Sequence, residues 1–175
     1  MAASTQRLFV ALWPDADTRR QIAALQKQLM TRSGLLDGAV AVENLHLTLR
    51  FLGNVPVTDI DRLCNHLSRV SMQPFAFSLQ RWGHFSRPGI LWIGPDTPGA
   101  PLCELQAAVQ TACREAFAAP DKHFRAHVTL FRKLTRLPPV QAFEPIEWPV
   151  DGFVLVASTP RPDGVQYRVL REFAL

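Results

Sequence analysis

Two short strings place the most reactive side chains of this chain at matched spacing. His46 and Thr48 stand in "ENLHLTLRFLG", and His127 and Thr129 stand in "RAHVTLFR". Both strings read as strands, in which successive side chains alternate across the sheet. Each histidine therefore shares a face with its threonine, while Leu47, Leu49, Val128 and Leu130 point into the core. A lone histidine on an apolar strand is usually a core residue whose ring nitrogens have found backbone partners. Repetition argues against that here: from the chain's own frequencies a His-apolar-Thr-Leu string arises roughly 0.02 times, and two come to about one chance in several thousand.

Two imidazoles facing one another make an acid–base pair. With an ordinary pKa of about 6.5, one can be neutral while the other is protonated near neutral pH. Threonine hydroxyls beside them suit the non-bridging oxygens of a phosphate. The chemistry that needs an acid and a base on opposite sides of a tetrahedral centre, with polar donors between, is phosphodiester cleavage by in-line displacement. Neither histidine has a carboxylate or thiolate at metal-ligand spacing; Glu43, three residues before His46, is as easily a loop residue, so no metal is expected.

The elements that must hold these residues can be read in order. "RLFVALWP" is a buried strand ended by Pro14, and Asp15 or Asp17 can cap a helix with Ile22, Leu25 and Leu29 on one face, broken by "SGLLDGAV". After the first histidine strand, Thr58 with Asp61 offers a cap to a second helix striped by Ile60, Leu63, Leu67 and Val70. "PFAFSLQRWGHF" alternates as one strand and pairs with "GILWIG" through the "SRPG" turn. A third helix fits between Pro101 and Phe117, with Leu102, Leu105, Val109 and Phe117 inward. Beyond the second histidine strand, "LPPVQAFEPIEWP" reads as a surface loop, and "DGFVLVAS" and "VQYRVLREFAL" close the chain as a hairpin about the "RPDG" turn. The order is α+β with two similar halves, each supplying one histidine.

Composition narrows the class. The 175 residues suit one domain, 1–175, and 47% hydrophobic content supports a substantial core. A net charge of +4 suits an anionic partner without requiring one. Cys64, Cys103 and Cys113 lack paired Cys-x-x-Cys spacing and read as free thiols in a reducing cytoplasm. The apolar run "LFVAL" stops too early for a secretory core or a membrane span.

The strings "RLFVALWP", "ENLHLTLRFLGNV", "PFAFSL", "GHF" with "GILWIG", "FRAHVTLFR" and "VLVASTPRPDGVQYRVL", in this order, resemble the two-histidine (2H) phosphoesterase superfamily. More narrowly they resemble the bacterial and archaeal RNA 2′,3′-cyclic phosphodiesterases, also called 2′-5′ RNA ligases. The resemblance implies a bilobal α+β fold, two lobes of antiparallel sheet with helices outside and a central cleft. It further implies hydrolysis of an RNA 2′,3′-cyclic phosphate, on RNA ends such as those of tRNA fragments or on nucleotides, by a cytoplasmic monomer without cofactor, metal or membrane. Residue by residue, it casts His46 and His127 as catalytic, Thr48 and Thr129 as phosphate-binding, and Arg132, five residues after His127, as the arginine on the phosphate. Alternatives are a phosphodiesterase for small substrates such as ADP-ribose cyclic phosphate, and an RNA-binding module without chemistry. The sequence hardly separates acid from base; His127 is taken as base and His46 as acid.

Parity raises a conflict. Positions 127, 129 and 131 share a face that 132 does not, so Arg132 reaches the cleft only if the strand ends or twists by Phe131. Arg50 has the parity of His46 and Thr48, which makes it a candidate RNA contact, with a solvated strand-end charge as the alternative. Phe85 is a candidate for stacking on a base, with a rim or core phenylalanine as the alternative apart from the resemblance. His66 reads as a solvated helix residue, His84 and His123 as loop residues, and Trp13, Trp92 and Trp148 as packing.

Overall fold

The structure, a computed structural model, describes residues 4–35, 37–116, 123–162 and 164–175. Leu36, Phe117 and Asp163, which belong to the expected helix break, third-helix face and final turn, lie outside the described residues. The element order is β1 (Thr5–Leu12), α1 (Ala16–Ser33), β2 (Leu47–Pro56), α2 (Ile60–Leu67), β3 (Phe75–Leu79), β4 (Arg81–Phe85) and β5 (Ile90–Gly94). It continues α3 (Ala100–Ala116), β6 (Val128–Phe131), β7 (Ile146–Val150), β8 (Gly152–Arg161) and β9 (Gly164–Ala174).

The helices follow their end signals. The Asp15 carboxylate accepts the Thr18 N–H at 2.8 Å, and Gly34, in the left-handed region at φ 66°, closes α1. The expected Thr58 cap is displaced, because Val57–Asp59 forms a 3-10 turn and Asp59 takes the N-cap position of α2. His66, partly exposed, also has a partner: its Nδ1 lies 3.1 Å from Glu115 Oε2 and ties α2 to α3.

Seven strands form one sheet in the order β4-β5-β6-β2-β1-β8-β9, every neighbour antiparallel. A half of three strands and a half of four meet at β2 and β6, whose register is Leu47 opposite Val128. The two halves thus meet at a seam within one sheet. Leu8, Val10, Leu12, Leu47, Leu49, Val128, Leu130 and Leu155 share a main core with Ile22 and Leu29 of α1, Leu63 and Leu67 of α2 and Leu105 and Val109 of α3. The helices therefore cover one face of the sheet, and the histidines stand on the other. There, a small second cluster holds Phe9, Ala11, Val154 and Val156, with Trp13, Phe51 and Tyr167 packed against it.

Two expectations about strands need correction. "PFAFSLQRWGHF" is not one strand: β3 pairs with β7 in a separate ribbon, and only β4 pairs with β5. The proline-rich segment read as a loop supplies β7, with Ile146, Trp148 and Val150 buried on one side and Glu147 and Pro149 exposed on the other. A ribbon edge tolerates the missing N–H of Pro149, which is why proline there did not preclude a strand. His84 likewise lies within β4, exposed, rather than in a loop. Among the described residues no helix is long and apolar enough to cross a membrane. Cys64 and Cys113 are buried and Cys103 is exposed, and burial pushes the Cys113 thiol up to about 12.

Candidate active site

The seam brings the two matched strings together. With Leu47 opposite Val128 in an antiparallel pair, continuing the register sets His46 opposite Thr129 and Thr48 opposite His127. Leu47 and Val128 belong to the main core, so all four polar residues stand on the helix-free face. Opposed Cβ atoms lie about 5 Å apart and diagonal ones about 7–8 Å, so the histidines occupy diagonal corners of a small quadrilateral and the threonines the other two.

Both rings are oriented alike. His46 Nδ1 donates to the Asn44 carbonyl at 2.6 Å, and His127 Nδ1 donates to the Arg125 carbonyl at 2.7 Å, in each case two residues back. A carbonyl can only accept, so the proton sits on Nδ1 in both neutral rings and Nε2 is the nitrogen left for chemistry. His46 Nε2 lies 3.1 Å from Thr48 Oγ1. Asn44 is itself anchored, its Nδ2 donating to the Val165 carbonyl at 3.2 Å and tying the turn before β2 to β9.

Aromatic rings flank each histidine. Trp13 stacks on His46 at 5.5 Å between centroids and 12° between planes, with Phe9 at 4.9 Å and Tyr167 edge-on at 5.3 Å. Phe85 meets His127 edge-on at 5.2 Å and Trp92 lies 5.8 Å from it. The Arg125 guanidinium sits 5.3 Å over Phe85, and that of Arg81 5.5 Å over Trp92. Trp92 lies flat across Gly83, where an added Cβ would come within 2.0 Å of its ring. Trp92 and Trp148 are buried, as the packing reading expects, and Trp92 backs His127 from within; Trp13, read from sequence as packing, is partly exposed and forms a wall of the site.

Two β-bulges settle the parity questions. In β2, Val10 pairs with Arg50 but Ala11 pairs with Thr48, so Leu49 is the extra residue. Beyond it the faces exchange. Arg50, opposite the core residue Val10, turns to the helix side, where it is 4% exposed and its charge acts on Cys113 of α3. The expected role of Arg50 as an RNA contact is thereby corrected, and Phe51 takes the place on the open face. In β6, Trp92 pairs with Thr129 but Leu91 pairs with Phe131, so Leu130 is extra, Phe131 turns into the core, and the exposed Arg132 that follows acts with its charge on both histidines. The residue four places after each histidine is buried and the residue five places after it is not, in both halves.

The second bulge is held from behind. Buried Gln26 of α1 donates through Nε2 to the carbonyls of Val40 at 3.0 Å and Leu130 at 2.8 Å, and the Arg132 N–H donates to Gly38 at 2.7 Å. Gly38 has φ 81°, and a Cβ there would lie 2.3 Å from the Arg132 carbonyl oxygen. Gly38→Ala is expected to cost about 1–3 kcal/mol of stability, read as a lower denaturant midpoint at unchanged slope, and to displace Arg132.

The electrostatics favour an anion. Burial pulls the His46 pKa down to about 4, with further lowering from the charges of Arg132 and His127 against the opposing Asn44 hydrogen bond. His127 is lowered by burial first and by Arg132 and Arg125 as well. One guanidinium thus acts on both imidazoles. Among the described residues no three His, Cys, Asp or Glu side chains gather as metal ligands.

Comparison with known proteins agrees with this geometry. The family model described as LigT like Phosphoesterase matches twice, over residues 12–92 and 93–167, one copy for each histidine. An RNA 2′,3′-cyclic phosphodiesterase of Archaeoglobus fulgidus is 35% identical, covering 95% of this chain and 99% of its own. One from Thermus thermophilus is 35% identical, covering 97% and 90% respectively. The crystal structure of Escherichia coli LigT complexed with 3′-AMP superposes with a TM-score of 0.86 at 28% identity, covering 98% of this chain and 99% of that one.

Proposed function

Because the chain belongs to the LigT-like phosphoesterase family, we propose that it is an RNA 2′,3′-cyclic phosphodiesterase that opens the cyclic phosphate to a 2′-phosphate end. The observation that carries this reading is the pair of imidazoles locked by backbone carbonyls, each with Nε2 left for a proton transfer, on diagonal corners of one quadrilateral. The relatives' names and the 3′-AMP bound by the E. coli neighbour support a nucleotide phosphate as the occupant. Residues 1–175 act as one bilobal unit in this reading.

The environments favour reversing the acid and base taken from sequence. His46, which burial, Arg132 and His127 hold at about 4, is taken as base; His127, lowered by burial, Arg132 and Arg125, is taken as acid. His46 Nε2 takes a proton from water as the water oxygen bonds to phosphorus. The P–O3′ bond breaks, and His127 Nε2–H gives its proton to O3′. Thr48, Thr129 and Arg132 donate to the equatorial oxygens, whose charge grows in the transition state. Phe85, beside His127, stacks on the base of the nucleoside whose O3′ departs. Run backward with a 5′-hydroxyl in place of water, the same steps make a 2′-5′ bond.

The test is incubation in EDTA with an oligonucleotide ending in a 2′,3′-cyclic phosphate. The expected product gains one water and carries a 2′-phosphate and a free 3′-hydroxyl, identified by mass and phosphorus NMR. Activity lost in EDTA and restored by a divalent ion overturns the two-histidine mechanism, and a 3′-phosphate product overturns the assignment of the leaving oxygen.

A further inference from the structure

Hydrolysis requires a nucleoside on one side of phosphorus only, yet the cleft has an aromatic wall on both. The wall beside His127 is accounted for by Phe85. The wall beside His46 is larger: Trp13 and Tyr167, each partly exposed, rest on the buried cluster of Phe9, Ala11, Val154 and Val156. Tyr167 stands edge-on to Phe9 at 5.1 Å, which fixes the ring without drawing it into the core. Further along the same face Arg7, exposed, holds its guanidinium 5.0 Å over Phe51, the counterpart in this half of Arg132 in the other. Rings backed by an apolar cluster with an exposed cation beyond them are what a single-stranded nucleic acid requires. Water requires none of them.

We propose that Trp13 and Tyr167 form a second nucleoside subsite, on the His46 side of the phosphate, which receives the 5′-hydroxyl nucleoside of a 2′-5′ joining reaction, with Arg7 beyond it for that strand's own phosphate. The inference rests on the phosphodiesterase reading above. In-line displacement puts the entering and leaving oxygens on opposite sides of phosphorus, so with the leaving ribose at Phe85 the entering group lies at Trp13. The step balances: the 5′-hydroxyl gives its proton to His46 Nε2, O5′ bonds to phosphorus, P–O3′ breaks and O3′ takes the proton of His127 Nε2. The product is a 2′-5′ diester with a free 3′-hydroxyl, and no oxidation or reduction occurs.

The deciding measurement is the ratio of joined to hydrolysed product, because a general loss of catalytic power divides out of it. The donor is an oligonucleotide ending in a 2′,3′-cyclic phosphate; the acceptors are a 5′-hydroxyl dinucleotide and its counterpart lacking the 5′ base. Base stacking on aromatic rings predicts a ratio about 10-fold higher with the base present in the wild-type protein. Trp13→Ala should erase that preference and Trp13→Phe should keep most of it. Equal ratios for the two acceptors in the wild type overturn the subsite, and a preference that survives in folded Trp13→Ala overturns its assignment to Trp13. Should Trp13→Ala fail to fold, the wild-type comparison and Trp13→Phe still decide. Hydrolysis with no joining at any acceptor concentration overturns the subsite but leaves the hydrolase standing, whereas no turnover of the donor overturns both.

Discussion

His46→Ala and His127→Ala are each expected to lower kcat by about 10²-fold or more, the loss that follows removal of a positioned acid or base. The two differ in what remains of the pH profile. A base must be neutral and an acid protonated, so kcat/KM of the wild type rises through the lower limb as His46 sheds its proton near 4. It falls again as His127 sheds its own below the ordinary imidazole value. The limbs are macroscopic constants of a coupled pair. Binding an anionic phosphate favours protonated imidazoles, so the kcat profile should lie at higher pH than the kcat/KM profile. His127→Ala should lose the falling limb and His46→Ala the rising one. The reverse pattern of lost limbs restores His127 as base, and wild-type turnover in either variant removes the pair as catalyst.

The same substitution has a stability signature. His46 is held neutral in the fold at about 4 but titrates near its ordinary 6.5 when unfolded, so between those values the unfolded chain binds more protons. Stability is therefore full above about 6.5 and is lost as pH falls toward the folded value. His46→Ala should flatten that slope, measured by urea midpoints across this range.

Much of this was legible in the chain because period-two alternation and repetition are local signals. The strings around His46 and His127 gave the strands, the shared faces and the two halves. What resisted were features set by partners distant in sequence. A bulge is visible only in the pairing: Leu49 and Leu130 look like ordinary core residues until Val10 and Ala11, or Trp92 and Leu91, are seen to skip them. Arg50 and Arg132 were thus misplaced by the same simple parity for the same reason. Trp13 and Tyr167 lie far apart in sequence and become a wall only when β9 closes the sheet, and Asn44 matters through a backbone carbonyl that no side-chain pattern reveals. The ribbon of β3 and β7 was hidden by prolines that its edge geometry tolerates.

Arg132 offers the sharpest remaining test, because its place depends on the bulge and not on strand parity. Its charge lowers both histidines, so it lies within electrostatic reach of each, while its backbone is fixed by Gly38 and by the Leu130 carbonyl that Gln26 grips. A guanidinium on the phosphate stabilises the transition state more than the ground state, since charge on the equatorial oxygens grows as the water bonds. Arg132→Ala should lower kcat by about 10²–10³-fold, the range for loss of one preorganised donor. Arg132→Lys keeps the charge and loses the planar fork, so its kcat should fall between the two. The alanine variant should also let both imidazoles titrate at higher pH, because a lowering charge has gone; the kcat/KM limbs then move upward together. Equal kcat for Arg, Lys and Ala at unchanged stability would mean that the side chain turns away from the cleft despite the bulge. A fall in kcat without movement of the limbs would place Arg132 on the substrate but outside the field of the histidines.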